Sequence, residues 1–399
     1  MKIIKPSSLT FLIIIIVSLA TSPAFAFDDE KKNIALIAIM AISPLIILIY
    51  KKIYSNDIPL LLFMSSIILF PAFLHPETMR WSTVMYTAMF GLTFLAYKLL
   101  LYHNNFRREI YLKVLKYLIF AYVLVLLIQQ FCVLTGIPIF NVSNYRLNEP
   151  WKLNSLTSEP STSARIVALL MFSYITIKEL IILRKYDFRI DFKTDKWVWL
   201  SFIWTMVTMG SGTAFLFLAM VLLKFVRLKS LAPLLVIFLG ITLFVNALEI
   251  VTFERTFRSF MAVLTLDSEK IYEADHSAAF RIIPLIILAQ RIGFTSINDW
   301  FGYGVDFVGS FLSDEVRGLP EGWTSGGLLQ LWVDYGFVVF ILFITFNLIN
   351  IVKKGDYLSM AFWFMIVFIQ GINNQILWLG IVLLFTNKYF KKSAEKRYN

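Results

Sequence analysis

The chain has a single cysteine, Cys132. An intrachain disulfide is therefore excluded, and so is a cysteine-based metal centre. Charge is scarce as well: 16% of residues are Asp, Glu, Lys or Arg, where a soluble domain carries about a quarter. No G-x-x-x-x-G-K-[ST] loop is present. The polar segments expected on the cytoplasmic side are too short to hold a nucleotide-binding domain, which argues against an ATP-driven pump. There is no internal repeat and no low-complexity tract. His276 has no second His or Cys nearby, so no metal is expected, and no other cofactor is implied.

What is present is apolar. Of 399 residues, 58% are hydrophobic, and the mean hydropathy is +0.73. Many apolar runs approach the length that crosses a bilayer core. The first, Leu9–Leu19, follows Lys2 and Lys5 and precedes Ala24-Phe25-Ala26. That pattern fits either a secretory signal with an A-x-A cleavage site or a first spanning helix. Further runs lie at 34–50, 57–74, 82–101, 114–133, 162–183, 196–209, 213–226, 230–249, 326–349, 357–372 and 375–390. The expected fold is an all-α polytopic membrane protein of about 12 transmembrane helices, or about 11 if the first segment is removed. Four regions follow: a signal-like or spanning segment, 1–26; a bundle, 27–249; a long polar stretch, 250–325; and C-terminal helices with a tail, 326–399.

The net charge is +11. A nucleic-acid partner would need those cations on one soluble face. Instead they fall in short clusters between apolar runs, as membrane loops do. With the N-terminus inside, 25 of the 37 Lys and Arg lie in cytoplasmic segments. The bias puts the polar stretches 134–161 and 250–325 outside the cytoplasm, and both termini inside if the first segment is retained.

The long stretch holds most of the candidate chemistry. Arg281 lies in an apolar run, 279–289, that is too short to span and so reads as interfacial, re-entrant or buried. A guanidinium there stays charged and matches a phosphate with two parallel hydrogen bonds; it could equally snorkel to lipid phosphates. Arg291 either contacts substrate or closes a helix end. In Phe301-Gly302-Tyr303-Gly304, Tyr303 could stack on a sugar, although paired glycines more often mark a tight turn. His276 is either a general base or a solvated loop residue. In the first polar stretch, Glu159 precedes Pro160 at an expected helix start. Arg165 should fall in the first turn, where a cation opposes the helix dipole and calls for an anion. Arg146 lies upstream.

Taken together, these residues resemble the O-antigen polymerase (Wzy) family, within the wider O-antigen ligase and polymerase superfamily of membrane glycosyltransferases. The resemblance rests on Arg146, on Glu159-Pro160-Ser161, and on Arg281 ahead of Gly302-Tyr303-Gly304. It rests also on Thr324-Ser325-Gly326-Gly327 running through Asp334-Tyr335-Gly336 into a span, and on one large loop two-thirds along the chain. It implies a GT-C-like fold in the bacterial inner membrane, with a large periplasmic loop carrying an interfacial helix. The implied reaction polymerises undecaprenyl-pyrophosphate-linked repeat units into O-antigen or another surface polysaccharide. On that basis Arg281, Glu159 and His276 are the catalytic candidates, and Arg146, Arg165, Arg291 and Tyr303 the substrate-binding ones. The implied partners are the lipid-linked glycan donor and acceptor, membrane lipids and a chain-length regulator. The ligase branch carries a His-Asn pair where this chain has Thr324-Ser325, which favours polymerisation over ligation. A lipid-linked oligosaccharide flippase is the rival from another class.

Overall fold

The computed structural model describes residues 6–21, 34–104, 106–141, 150–225, 258, 260–316, 326–352 and 355–398. Among them every regular element is a helix. The main ones are α1 Pro6–Thr21, α2 Ile34–Tyr50, α3 Ile58–Leu74, α4 Trp81–His103, α5 Arg108–Thr135, α6 Pro160–Ile182, α7 Phe188–Thr208 and α8 Gly212–Leu222. There follow α9 Ser268–Ala274, α10 His276–Arg291, α11 Ile297–Phe301, α12 Phe307–Glu315, α13 Gly327–Asn350, α14 Tyr357–Trp363 and α15 Gln375–Tyr398. Four stretches are long and apolar enough to cross a membrane: Ser55–Leu74, Trp81–His103, Arg108–Thr135 and Gly327–Asn350. Shorter apolar helices cover Leu9–Ala20, Ile34–Tyr50, Gly212–Phe225 and Tyr357–Phe368. The expected run at 230–249 lies outside the described residues.

The chain forms two compact units. The first joins Met1–Thr21, Lys32–Arg107 and Ser277–Asn399. Its helices alternate in direction, which their end contacts make plain. At one end, Lys98 Nζ near the close of α4 donates to Asp57 Oδ1 at 2.5 Å, just ahead of α3, and to Asn350 Oδ1 at 3.0 Å, at the end of α13. Both charged side chains are buried. A buried pair of this kind adds little net stability, but breaking it strands a charge at a cost of about 3–5 kcal/mol. Lys388 of α15 donates to the carbonyls of Leu348, Ile349 and Val352. It thereby satisfies acceptors that a helix end leaves open. Lys391 pairs with Asp356 ahead of α14. This is the lysine end of the unit.

The opposite end is rich in glycine. It gathers the close of α3, the start of α4, the start of α13 and the start of α15. Gln375 there donates to the carbonyls of Leu19 and Ala20 at the close of α1. The expected span 357–372 is not one α-helix. After Trp363 the chain widens into a π-helical turn, Phe364–Phe368, before α15 begins. Such bulges often accompany functional sites.

The second unit joins Ser22–Lys31 and Arg108–His276. One of its ends is organised on Asp195, which accepts from Tyr174 Oη, Lys178 Nζ and Tyr186 Oη. Arg184 grips Asp191 beside it with two hydrogen bonds of 2.8 and 2.6 Å. The guanidinium fork holds the Asp191 carboxyl below the usual carboxylate range. At the other end the segment before α6 is tied down by side chains. Gln129 Oε1 accepts from Ser155 N, Ser155 Oγ donates to Tyr122 O, and Thr157 Oγ1 bonds Ser163 Oγ.

Candidate functional site

The glycine end of the first unit is built on a break in α13. Gly336 has φ 88° and ψ 165°, far from helical values. The break frees carbonyls of the preceding turn, and inside a bilayer those must be satisfied by protein. The turn after α11 does this: Tyr303 N donates to Val333 O at 3.0 Å, and Gly304 N to Asp334 O at 3.1 Å. The two backbones touch. A Cβ on Gly302 would lie 2.3 Å from Asp334 O, and one on Gly336 would lie 2.3 Å from Trp300 O. Both positions have positive φ, so glycine is required for shape and for space. Phe301-Gly302-Tyr303-Gly304 is indeed a turn, and its role is to plug a broken helix. His75 Nε2 donates to Gly302 O at 3.1 Å and holds the turn from the end of α3.

Asp334 sits at this junction and is 2% exposed. Its Oδ1 accepts from Val308 N in the first turn of α12, and its Oδ2 from Gln330 Nε2. It caps α12 from another helix, because the residue in the N-cap position, Asp306, makes no side-chain cap. Asp306 instead accepts from Arg80 Nη1 at 2.9 Å and Thr83 Oγ1 at 3.3 Å.

Beside this junction lies an exposed cation. Arg291, the last residue of α10, places its guanidinium 4.9 Å from the Tyr303 ring centre and 5.8 Å from that of Phe311. Among the described residues no carboxylate pairs with it. The ring beneath is fixed, since Tyr303 Oη donates to Asp299 Oδ1 at 2.9 Å and the ring stacks on Phe307. Asp299 also accepts from the backbone of Ser296 and Thr295. These donors, led by the Ser296 N–H, hold its carboxyl below the usual range although burial opposes them. A guanidinium on an aromatic face keeps its edge free for an anion. Phe294, Trp300, Trp332 and Phe337 flank the platform with ring contacts of 4.7 to 5.8 Å. Such rings are typical of a membrane–water boundary.

Arg281 is half-buried on the same helix. Ten residues separate it from Arg291, which is about 15 Å along a helix axis, so the two cannot grip one phosphate. The remaining candidates belong to the second unit. Glu159 takes the N-cap position of α6, with its Oε2 accepting from Ser161 Oγ. Arg165 is the sixth residue of α6, beyond the first turn, so the expected clash with the helix dipole is weak. Its Nε turns back to donate to Ser161 O at 3.2 Å. His276 is exposed, with its ring edge-on to Tyr272 at 4.2 Å. Arg146, Thr324 and Ser325 lie outside the described residues.

The second unit also holds a cavity of about 470 Å³ lined by Gln130, Leu134, Trp151, Trp204, Val207 and Phe215, among others. Its polar groups satisfy one another: Gln130 Nε2 donates to Thr208 Oγ1, and Trp204 Nε1 to Gln130 Oε1. What remains on the wall is mostly aromatic and aliphatic.

Sequence reasoning passed over Arg80, His75, Asp306 and Gln330. The signal for Asp334 was an acid inside a long apolar run. Arg80 and His75 gave none beyond their place in a short loop. No family model, no curated protein and no solved structure matches this chain.

Proposed function

We propose that the protein is an inner-membrane glycosyltransferase that polymerises undecaprenyl-pyrophosphate-linked oligosaccharide repeats at the periplasmic face. The glycine end of the first unit faces the periplasm in this reading, within a layout of about 12 spans. A hydroxyl of the acceptor repeat attacks the anomeric carbon of the donor glycan. The bond from that carbon to the pyrophosphate oxygen breaks, undecaprenyl pyrophosphate leaves, and the hydroxyl proton passes to a base. Charge develops on the leaving oxygen, and fixed guanidiniums stabilise it without reorganising. In the first unit Arg291 is assigned to the pyrophosphate of one substrate and Arg281, about 15 Å along the same helix, to that of the other; Arg146 and Arg165 are substrate-binding candidates of the second unit. Glu159 and His276 are the base candidates, and Tyr303 supports the sugar or the cation above it.

One observation carries this reading. Arg291 is exposed, has no carboxylate partner among the described residues, and is held over two rings beside an aromatic boundary. That arrangement suits a phosphate at headgroup level. The apolar cavity in the second unit suits an isoprenoid chain better than a sugar, since its hydrogen-bonding groups are already engaged. Substituting Arg281→Ala or Arg291→Ala in producing cells should leave single repeats on the carrier while the protein is still made. The expected loss of polymer is about a hundredfold, the worth of one fixed transition-state donor. Long-chain polymer at normal levels in both variants would overturn the assignment.

A flippase remains the second reading, on one observation. Asp334 is a buried acid within a spanning helix, the placement transport pathways favour. In that case unpolymerised repeats would accumulate on the cytoplasmic leaflet.

A further inference from the structure

Next to Asp334 lies a chamber bounded by Thr83, Asp306, Gln330, Tyr335 and Asn373. It is independent of the Arg291 platform and of the transfer reaction proposed above. Its volume is about 10 Å³, the space of a single water-sized particle. Two of the lining residues each carry a buried polar atom without a partner, Gln330 Oε1 and Tyr335 Oη. Native interiors rarely leave such groups unmet, because each gives up its hydrogen bonds to water with nothing in return.

The chemistry of the walls is one-sided. Gln330 spends its amide N–H on Asp334, which turns its oxygen away from the carboxylate and toward Gly371. A Cβ built on Gly371 would lie 3.5 Å from that oxygen and 3.1 Å from Asn373 Oδ1. The two amide oxygens therefore come near each other beside Gly371, and both residues line the chamber together with Asp306 and Asp334. Asp306 is neutralised by Arg80. Among the described residues no cation pairs with Asp334, and the N-terminus of α12 supplies only about half a positive charge. With Asp334 ionised the site carries one net negative charge, with several oxygen acceptors around it. A water molecule has two hydrogens to offer and cannot neutralise the carboxylate.

We propose that this chamber binds one dehydrated alkali-metal cation. A single positive charge balances the site. The space excludes an ion with its hydration shell. Mg²⁺ sheds its waters reluctantly and demands octahedral geometry, and a divalent ion would leave an excess charge buried. Asp334, Gln330 Oε1, Asn373 Oδ1 and Tyr335 Oη are the assigned oxygen ligands. Bound there, the ion would fasten the break in α13 to the start of α15.

The test uses full-length protein purified in detergent. Its thermal unfolding midpoint is followed while NaCl, KCl or LiCl replaces choline chloride at constant ionic strength. The wild type should show a saturable rise with at least one alkali cation, and Asp334→Asn should show none. Tyr335→Phe, which removes a single oxygen and keeps the ring, should shift the midpoint concentration upward by roughly tenfold, the worth of one lost charge-assisted contact. A wild type that unfolds at the same temperature in every salt would overturn the proposal, and would mean that Asp334 holds a proton instead. A full cation response in Asp334→Asn would overturn it too. Neither result bears on glycosyl transfer, which is read separately from polymer length.

Discussion

Single side chains at the glycine end act through what holds them. Arg291 is useful to an anion because Tyr303 cannot move, and Tyr303 is pinned by Asp299, which is in turn fixed by the backbone of the Ser296 turn. The Asp299 carboxyl titrates lower in the folded protein than in the unfolded chain. Its contribution to stability is therefore complete above the unfolded value and fades as pH falls through the folded one. Asp299→Asn should lower the unfolding midpoint at neutral pH by about 2–4 °C. The gap to wild type should close on acidification below the usual carboxylate range. A gap that stays constant with pH would mean that the carboxylate charge contributes nothing. At this scale the sequence was informative about cations and poor about their partners. Arg281 and Arg291 stand out in an apolar context. Asp306 and Arg80 are 226 positions apart, and no local pattern links them.

At the scale of elements, the helices were legible because hydrophobic run length is a local property. The runs 34–50 and 57–74 match α2 and α3 almost residue for residue, and the run 114–133 lies within a longer helix, α5. The break in α13 was not legible. Asp334-Tyr335-Gly336 sits in an unbroken apolar run, and one glycine there is compatible with a helix. What breaks the helix is the arriving backbone of Trp300 and Phe301, which needs the space a side chain would take. The π-helical turn after Trp363 is equally silent in the sequence. Gly336→Ala should therefore destabilise the protein by more than about 1–3 kcal/mol, because it adds strain at positive φ and a clash with backbone. Gly355→Ala serves as the control. It too has positive φ, but a Cβ there meets nothing within 4 Å. Thermal unfolding of the two variants separates strain from packing. Equal losses would show that the contact between the two chain segments is unimportant.

The described residues form two helical units. In the first unit lysines collect at one end, with Lys98, Lys388 and Lys391 bound to Asp57, to α13 carbonyls and to Asp356. The other end carries broken helices, aromatic rings and a guanidinium held over two of them. The most direct measurement is bond formation by the purified protein. It would be reconstituted in liposomes with an undecaprenyl-pyrophosphate-linked repeat unit supplied on the leaflet the glycine end faces. The account predicts a ladder of lengthening glycans, release of free undecaprenyl pyrophosphate, and about a hundredfold less polymer with Arg281→Ala. Repeat units that cross to the other leaflet without growing longer would contradict it.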